Sequence, residues 1–418
     1  AKFSQANIFG DSSTALISRI IAYDARVSGR LFTLPTGAVE AAGGAAYRKE
    51  TLKATADMNS VINPVTGTSA WNNGVTLNPF DAGRTIQALF LELKVPLTSP
   101  EQHLPGLYTV VLDGAVRREY YSDTDDPTVP KVSLRWLPFD DQFAFRATYS
   151  KSFSAPTLYS LFGPSNSGAT PSLAGLTAYN TAGQPIGPFP PVQGNQQSGS
   201  NPNLRPSHSK NYTLGFVYSP KAVKGLSVSV DYYTIKETDI VGALATPTTI
   251  VQDVEQYGPA SHLVNYVHLG NFGQLGGTVV TTPGQLSPNP GNIYVDQFNA
   301  NVASQQQDGV DLTFKYSWRT NHGTFDFSSS WAYLRSFRIQ SAPGEDYTEY
   351  SGTNGYGTLP RYREYSTVAW QSGAWAASVS NSYVPSVTSA GSGEKVDSYT
   401  TFDLQGSVDF GKIWPKAH

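Results

Sequence analysis

Apolar and polar side chains alternate residue by residue through long stretches of this chain. Phe143, Phe145, Ala147 and Tyr149 fall on one side, and Ala144, Arg146, Thr148 and Ser150 on the other. This period of two marks a β-strand with two unlike faces. The pattern recurs around a turn further on. Tyr212, Leu214, Phe216 and Tyr218 share one face; past Ser219-Pro220 and Gly225, Leu226, Val228, Val230 and Tyr232 lie opposite Ser227, Ser229 and Asp231. It is plainest late in the chain, where Val310, Leu312, Phe314, Tyr316 and Trp318 oppose Asp311, Thr313, Lys315 and Ser317. Phe325, Phe327, Trp331 and Tyr333 likewise oppose Thr324, Asp326, Ser328 and Ser330, and Phe402, Leu404, Val408 and Phe410 oppose Thr401, Asp403, Gln405 and Asp409.

Extended along the chain, the pattern predicts about thirteen strands, at 17–34, 38–52, 84–95, 107–122, 128–137, 142–153, 209–219, 225–238, 291–318, 323–338, 361–371, 374–385 and 397–410. Tight or modest turns are expected at 35–37, 96–106, 138–141, 220–224, 319–322 and 371–373, and longer loops at 53–83, 123–127, 154–208, 239–290, 339–360 and 386–396. Short and long connections therefore alternate. An up-and-down barrel crossing a membrane sorts its connections this way, whereas a soluble sandwich with Greek-key links has no reason to. Residues 249–265 carry the pattern of short helical turns. Residues 163–205 are rich in Pro, Gly, Ser and Asn, and no regular structure is expected there.

Aromatic residues collect near the strand ends: Tyr120, Tyr121, Trp136, Tyr149, Phe153, Tyr218, Trp318, Trp331, Tyr333 and Trp370. That placement suits aromatic girdles at two membrane interfaces, although aromatics also favour strands in general. The 418 residues include no run of about 18 apolar residues, so no transmembrane helix is expected. The negative mean hydropathy of −0.29 does not argue against a barrel, because only alternate residues of its strands face lipid. Charged residues make up 15% of the chain and the net charge is −3, without a basic patch, which argues against a nucleic-acid partner. With no cysteine, thiolate catalysis, disulfides and Cys-based metal sites are excluded. The opening residues lack the basic and apolar regions of a signal peptide.

Candidate chemistry is sparse. His103, His208, His262, His268, His322 and His418 show no zinc-type spacing, though a folded loop would allow His262 and His268 to meet. Asp123, Asp125 and Asp126 offer oxygen ligands of the kind calcium takes, but read more simply as a solvated acidic turn. Neither a phosphate-binding glycine loop nor a GxSxG serine elbow occurs. The chain is thus not expected to be an enzyme, and no catalytic, cofactor-binding or metal-ligating residue is assigned. Arg146, Asp231, Asp311, Lys315, Asp326 and Asp403 share the polar strand faces and would line a wet lumen.

Several segments, in order, resemble the barrel of TonB-dependent outer-membrane receptors. They are Phe32-Thr33-Leu34-Pro35 with Gly37 and Tyr47-Arg48-Lys49-Glu50; Ala88 to Leu93 with Val95-Pro96-Leu97; and Arg118 to Asp123 with Val129-Pro130-Lys131-Val132. Arg146 to Phe153 with Ala155-Pro156 and Leu161-Phe162 follow, then Asn201 to Pro206, Ser209 to Gly215, Gln307 to Leu312 and Asp403-Leu404. The resemblance covers about residues 17–410. It implies an all-β, antiparallel, up-and-down transmembrane barrel in a Gram-negative outer membrane. Its partners would be the surrounding lipid, an extracellular small molecule and a TonB-type energy-transducing protein acting through a plug domain. The cargo would be a scarce nutrient: a siderophore, a cobalamin-like molecule or an oligosaccharide. The family barrel has 22 strands around a plugged lumen. No plug is visible ahead of the first expected strand, and Thr124-Asp125-Asp126 stands where the family usually has Phe-Gly. The expectation is therefore that residues 1–418 are one barrel fragment of a larger receptor, without a plug and without cofactors. The alternatives are a plugless porin-like or adhesin barrel and a soluble secreted β-protein.

Overall fold

The computed structural model describes residues 13–61, 79–243, 245–270, 278–341 and 345–414; His418 lies outside them. Thirteen strands run up and down: β1 (Thr14–Leu34), β2 (Gly37–Ala56), β3 (Phe80–Thr98), β4 (Thr109–Tyr121), β5 (Thr128–Leu137), β6 (Phe143–Ser154) and β7 (Ser207–Tyr218). They continue through β8 (Leu226–Ala243), β9 (Ile293–Thr320), β10 (Gly323–Gln340), β11 (Tyr362–Ser372), β12 (Trp375–Val384) and β13 (Tyr399–Val408). Each pairs antiparallel with the next. All thirteen expected strands are present, with β2 and β8 running a few residues past their expected ends. Among the described residues β1 and β13 have one neighbour each, so the sheet is open.

The connections alternate between the two ends as expected, and those at one end are the longer except for 122–127, which is shorter than 99–108 and 219–225 at the other. Residues 35–36, 99–108, 138–142, 219–225, 321–322 and 373–374 join strands at one end of the sheet; 57–79, 122–127, 155–206, 244–292, 341–361 and 385–398 join them at the other. The tightest turns rely on glycine, with Gly37 at φ 129° and Gly323 at φ 116°.

Register places the alternating residues on common faces. In one row of partners, Arg146, Gly215, Asp231 and Asp311 are opposed across β6, β7, β8 and β9; in another, Tyr149 and Tyr212 meet. The apolar face carries aromatics toward both ends of the strands. Near the short turns Trp136 stacks on Phe145 at 5.2 Å and Phe143 on Phe216 at 5.4 Å, with Trp318 against Phe325 at 6.0 Å. Toward the long loops Tyr149 meets Tyr212 at 4.9 Å and Trp331 stacks on Tyr362 at 6.1 Å. Tyr121 meets Phe153 edge-on at 6.1 Å but does not share the face of Tyr120. Tyr121 follows Tyr120, so it must face the other way; its hydroxyl donates to Glu119 Oε2 at 2.9 Å on the polar face. The apolar face also holds a polar cluster. Ser366 donates to Ser329 at 2.8 Å and bonds Glu364, which is buried beside Trp331 and Tyr362.

A hydrophobic core forms in the long connections. Leu173, Phe189, Ile250, Val254, Val267 and Val295 belong to one buried cluster built from 155–206, 244–292 and the start of β9. Residues 163–205, expected to be irregular, hold short strands at 166–169, 177–179, 185–188 and 195–199. Their order comes from partners distant in sequence, which local composition does not report.

Candidate ligand-binding cap

The two longest connections fold into one cap at the long-loop end of the sheet. The expected helical turns near 249–265 appear as a helix at Pro247–Tyr257 and 3-10 turns at 258–260 and 264–266. The sequence specifies the helix locally. Thr246 caps it, its hydroxyl accepting from the N–H of Thr249 at 3.2 Å, and Pro247 sits in the first turn. Gly258 ends it at φ 55°, where a Cβ would lie 2.5 Å from the nitrogen of Pro283. Ile250, Val251 and Val254 share the buried face and are wholly inaccessible. Burying side chains of this size contributes about 1.5–3 kcal/mol each.

That face packs on a small sheet in which 195–199 runs parallel to the start of β9, flanked by 166–169 and 267–269. Two side chains on the helix tie the connections together. The amide of Gln252 pairs with the backbone of Thr177, accepting from its N–H at 2.7 Å and donating to its carbonyl at 3.2 Å. The carboxylate of Glu255, wholly buried, accepts from the N–H groups of Tyr179 at 3.3 Å, Leu286 at 2.8 Å and Ser287 at 3.3 Å. A buried carboxylate needs such donors to replace water.

The roots of the cap are fixed to the strands by charged groups, of which Arg48, Glu50, Glu119 and Asp123 stand in segments that carry the family resemblance. Arg84 donates to Glu50 Oε2 at 2.7 Å and to the carbonyl of Pro156 at 2.8 Å, and lies 3.7 Å from Asp123. Arg48 pairs with Glu50 at 2.8 Å, and Arg117 with Glu119 at 2.7 Å. Burial raises the Asp123 carboxyl against the opposing pull of Arg84. On the far side Asn301 takes the N–H of Arg205 at 2.8 Å and donates to the carbonyls of Arg205 and Asp239 at 2.7 and 2.8 Å. The Arg205 side chain reaches Asp239 at 3.4 Å.

Of the six polar-face residues, the structure joins two. Arg146 Nε donates to Asp231 Oδ1 at 2.6 Å, and its Nη2 to Ser229 at 2.9 Å. Asp311 lies opposite Asp231 in register, Lys315 opposite Ser227, Asp326 opposite Ser317, and Asp403 opposite Ser380. His262 is exposed and does not meet His268, whose Nε2 lies 3.1 Å from Asp296 Oδ2. Among the described residues, no group of three or more His, Asp or Glu side chains is arranged to hold a metal. Arg84, Gln252 and Glu255 were not singled out by sequence. Glu255 carried a faint signal, as an acid in the apolar rhythm of a capped helix.

The chain matches the family described as TonB dependent receptor-like, beta-barrel, over residues 3–416. It belongs to that family. No curated protein matches. Among solved structures, a mutant of the ferric enterobactin receptor of Pseudomonas aeruginosa in complex with enterobactin is 15% identical, with a TM-score of 0.59 over 94% of this chain and 47% of that one. The siderophore receptor PirA of Acinetobacter baumannii is 13% identical, with a TM-score of 0.59 over 96% and 50%. A double mutant of the Serratia marcescens hemophore receptor HasR, in complex with its hemophore and heme, is 12% identical, with a TM-score of 0.57 over 95% and 55%. The chain thus spans about half the length of these structures. At such identities the likeness shows the fold: a receptor barrel, here not closed. Members of this family are transport receptors of the Gram-negative outer membrane rather than enzymes.

Proposed function

We propose that this chain is the ligand-capturing part of an outer-membrane receptor barrel for TonB-energised uptake of a scarce nutrient. The observation that carries the reading is the cap: on a meander of this family, the two longest connections on one end share a hydrophobic core. A preorganised loop surface binds at a lower entropic cost than loops that must order on contact. The apolar strand face meets lipid, and the polar face receives a plug domain and the passing ligand.

The open edges support a larger barrel. Thirteen strands are an odd number, so β1 and β13 run in the same direction and would close as a parallel pair in an otherwise antiparallel sheet. Membrane barrels of single bacterial chains keep even strand numbers, and unsatisfied edges in hydrocarbon are costly. Roughly nine further strands would complete the 22-stranded plugged barrel of outer-membrane transporters.

Charge narrows the ligand. The long connections contain only Arg205, Arg361 and Lys395 as strong bases, and residues 155–204 contain no charged side chain at all. Acids outnumber bases at this end, as at Asp123, Asp125, Asp126, Glu345 and Asp346. Such a surface favours a neutral, hydroxyl-rich or neutral chelate ligand over a multiply anionic one.

The test is nutrient-limited uptake by cells carrying the full-length protein, with the cap residues 170–199 and 247–290 replaced by short Gly-Ser linkers in a second strain. The reading expects uptake that stops when the proton gradient is collapsed or TonB is removed, and ligand binding that disappears with the cap. Uptake indifferent to both energy and cap would replace it with a passive barrel.

A further inference from the structure

Two tyrosines stand exposed on the polar side of the sheet. Tyr365 opposes Ser330 of β10 and Ser382 of β12, while its neighbours Glu364 and Ser366 point the other way. It is 51% exposed. Tyr356, 55% exposed, lies in the connection between β10 and β11. Its ring rests on Phe337 at 6.1 Å and on Tyr350 at 5.9 Å. Phe337 opposes Gln307, which shares the polar face of β9 with Asp311, so this connection folds over the polar side. One hydrogen bond ties the two positions together. Arg363 Nη2 donates to the carbonyl of Thr358 at 3.3 Å; Thr358 lies two residues from Tyr356, and Arg363 two residues from Tyr365.

A ring that faces water leaves apolar surface unused, yet Tyr356 is held in place. Thr353 bridges Leu359 to close a hairpin around it, and Gly357 takes the φ of 77° that the tip requires. The N–H of Thr388 donates to the carbonyl of Gly352 at 2.8 Å, and the N–H of Ala390 to Asn354 Oδ1 at 2.9 Å. These bonds fasten the hairpin to the connection between β12 and β13. A tyrosine so fixed, with glycine on either side, meets a ligand at little entropic cost. Around Tyr365 the polar face is clothed in hydroxyls. Register aligns Ser330, Tyr365, Ser382 and Thr401 in one row, and Ser328, Thr367, Ser380 and Asp403 in the next. Thr367 and Ser380 hydrogen-bond at 2.9 Å. Arg363 and Asp403, both exposed, carry opposite charges at the margins of this field.

We propose that Tyr356 and Tyr365, with the hydroxyl rows of β11 to β13, form a contact strip for a neutral oligosaccharide. This rests on the uptake reading and names the class of its cargo. A pyranose ring has a flat face of C–H groups and a rim of hydroxyls. The two exposed tyrosine rings offer surfaces on which such faces stack, and the Ser and Thr hydroxyls both donate to and accept from the rim. Arg363 and Asp403 add a pure donor and a pure acceptor. The strip suits other cargo less well. A multiply anionic chelate would meet Asp403 as well as Arg363, and a flat aromatic ligand would leave the hydroxyl rows without partners.

The experiment uses the full-length protein in nonionic detergent and an array of immobilised neutral oligosaccharides of glucose, xylose, mannose or galactose units. Titration calorimetry follows with a retained glycan, and a ferric tris-catecholate serves as the aromatic, anionic comparison. The proposal expects at least one glycan to be retained. It expects Tyr356→Ala and Tyr365→Ala each to weaken binding about tenfold, and Tyr356→Phe and Tyr365→Phe, which keep the ring, to bind within about threefold of the parent. A second readout needs no variant: the bound glycan should slow iodination of Tyr356 and Tyr365 several-fold and leave Tyr212 and Tyr333, on the apolar face, unchanged. No retained glycan would overturn the proposal, and so would a glycan that left both tyrosines iodinated at the free rate, whether or not the alanine variants fold. Protection of the two tyrosines by the ferric catecholate and by no glycan would overturn the carbohydrate class. Neither readout depends on energised transport, so failure here is distinct from failure of the uptake assay.

Discussion

Arg146 on β6 binds Asp231 on β8, two strands away, across Gly215 of the intervening β7. Register puts Gly215 directly between them, and a Cβ there would lie 2.0 Å from Asp231 Oδ1. The glycine is thus a gap through which a polar-face ion pair is made, and its small size matters more than its backbone freedom.

Gly215→Ala should therefore cost more than removing the charge. The added methyl forces the carboxylate aside and presses on the carbonyl of Val230, 2.7 Å away, a clash worth about 1–3 kcal/mol. Asp231→Asn should cost at most about 1 kcal/mol, because the Arg146 side chain is half exposed and solvent screens the pair. Melting of the folded barrel, followed by heat-dependent gel mobility of the full-length protein, should show the alanine variant melting lower. The reverse order would mean that the ion pair, and not the gap, is what the strands need here.

Glu255 should govern the cap and leave the strands alone. Glu255→Ala strands the N–H groups of Tyr179, Leu286 and Ser287, two of which come from a connection other than the first. An unsatisfied buried donor costs about 1–3 kcal/mol, so the local stability of the cap should fall by several kcal/mol. Hydrogen exchange should speed up by more than tenfold at 177–179 and 284–289 together, with β6 to β8 unchanged. If only one of the two segments responded, the connections would not be a single cooperative unit.

How much of this was legible in the sequence depends on where each partner lies. The strands are written locally, since a two-faced strand needs one residue in two to be apolar, and the alternation of Phe143 to Ser150 or Val310 to Trp318 needs no distant information. The facing of Tyr121 was legible too, because consecutive residues of a strand point oppositely and Tyr120 already pointed outward. The cap was not. Residues 163–205 look irregular because their order is supplied by Gln252 and Glu255, which lie far along the chain. The root of the cap was half legible: Arg48, Glu50, Asp123 and Pro156 stand in segments that resemble the family, but the residue that joins them, Arg84, lies outside those segments.

Glu349 makes the connection between β10 and β11 sensitive to acid. Burial opposes its ionisation, but the hydroxyl of Ser336, the N–H of Phe337 and the N–H of Ser351 outweigh burial and hold the carboxyl down at about 2. A carboxyl depressed in the folded state stabilises above its unfolded value, near 4.5, and that contribution is lost as pH falls toward 2. Amide protection at Phe337 and Ser351, corrected for intrinsic exchange, should decline through that window in the parent protein. Glu349→Gln should start lower at neutral pH and show little further decline. Protection in the parent that stayed flat from pH 5 to pH 2.5 would show that the bonds to Glu349 do not hold this connection.

The open edges set the last expectation. Residues 14–33 of β1 are exposed throughout, and β13 is exposed along most of its length. Each edge offers a row of N–H and C=O groups that neither lipid nor detergent can satisfy, and such rows recruit other strands. Direct closure is unfavourable, because β1 and β13 point the same way and their side chains follow the register of an antiparallel meander. Residues 1–418 produced alone should consequently refold, if at all, into oligomers joined edge to edge, and should not move any solute across liposomes. On the proposed reading, supplying the further strands of the larger receptor as a separate chain should convert those oligomers into one heat-modifiable species. A monomeric, closed and conducting barrel formed by residues 1–418 alone would contradict both the strand-direction argument and the proposed place of this chain in a larger receptor.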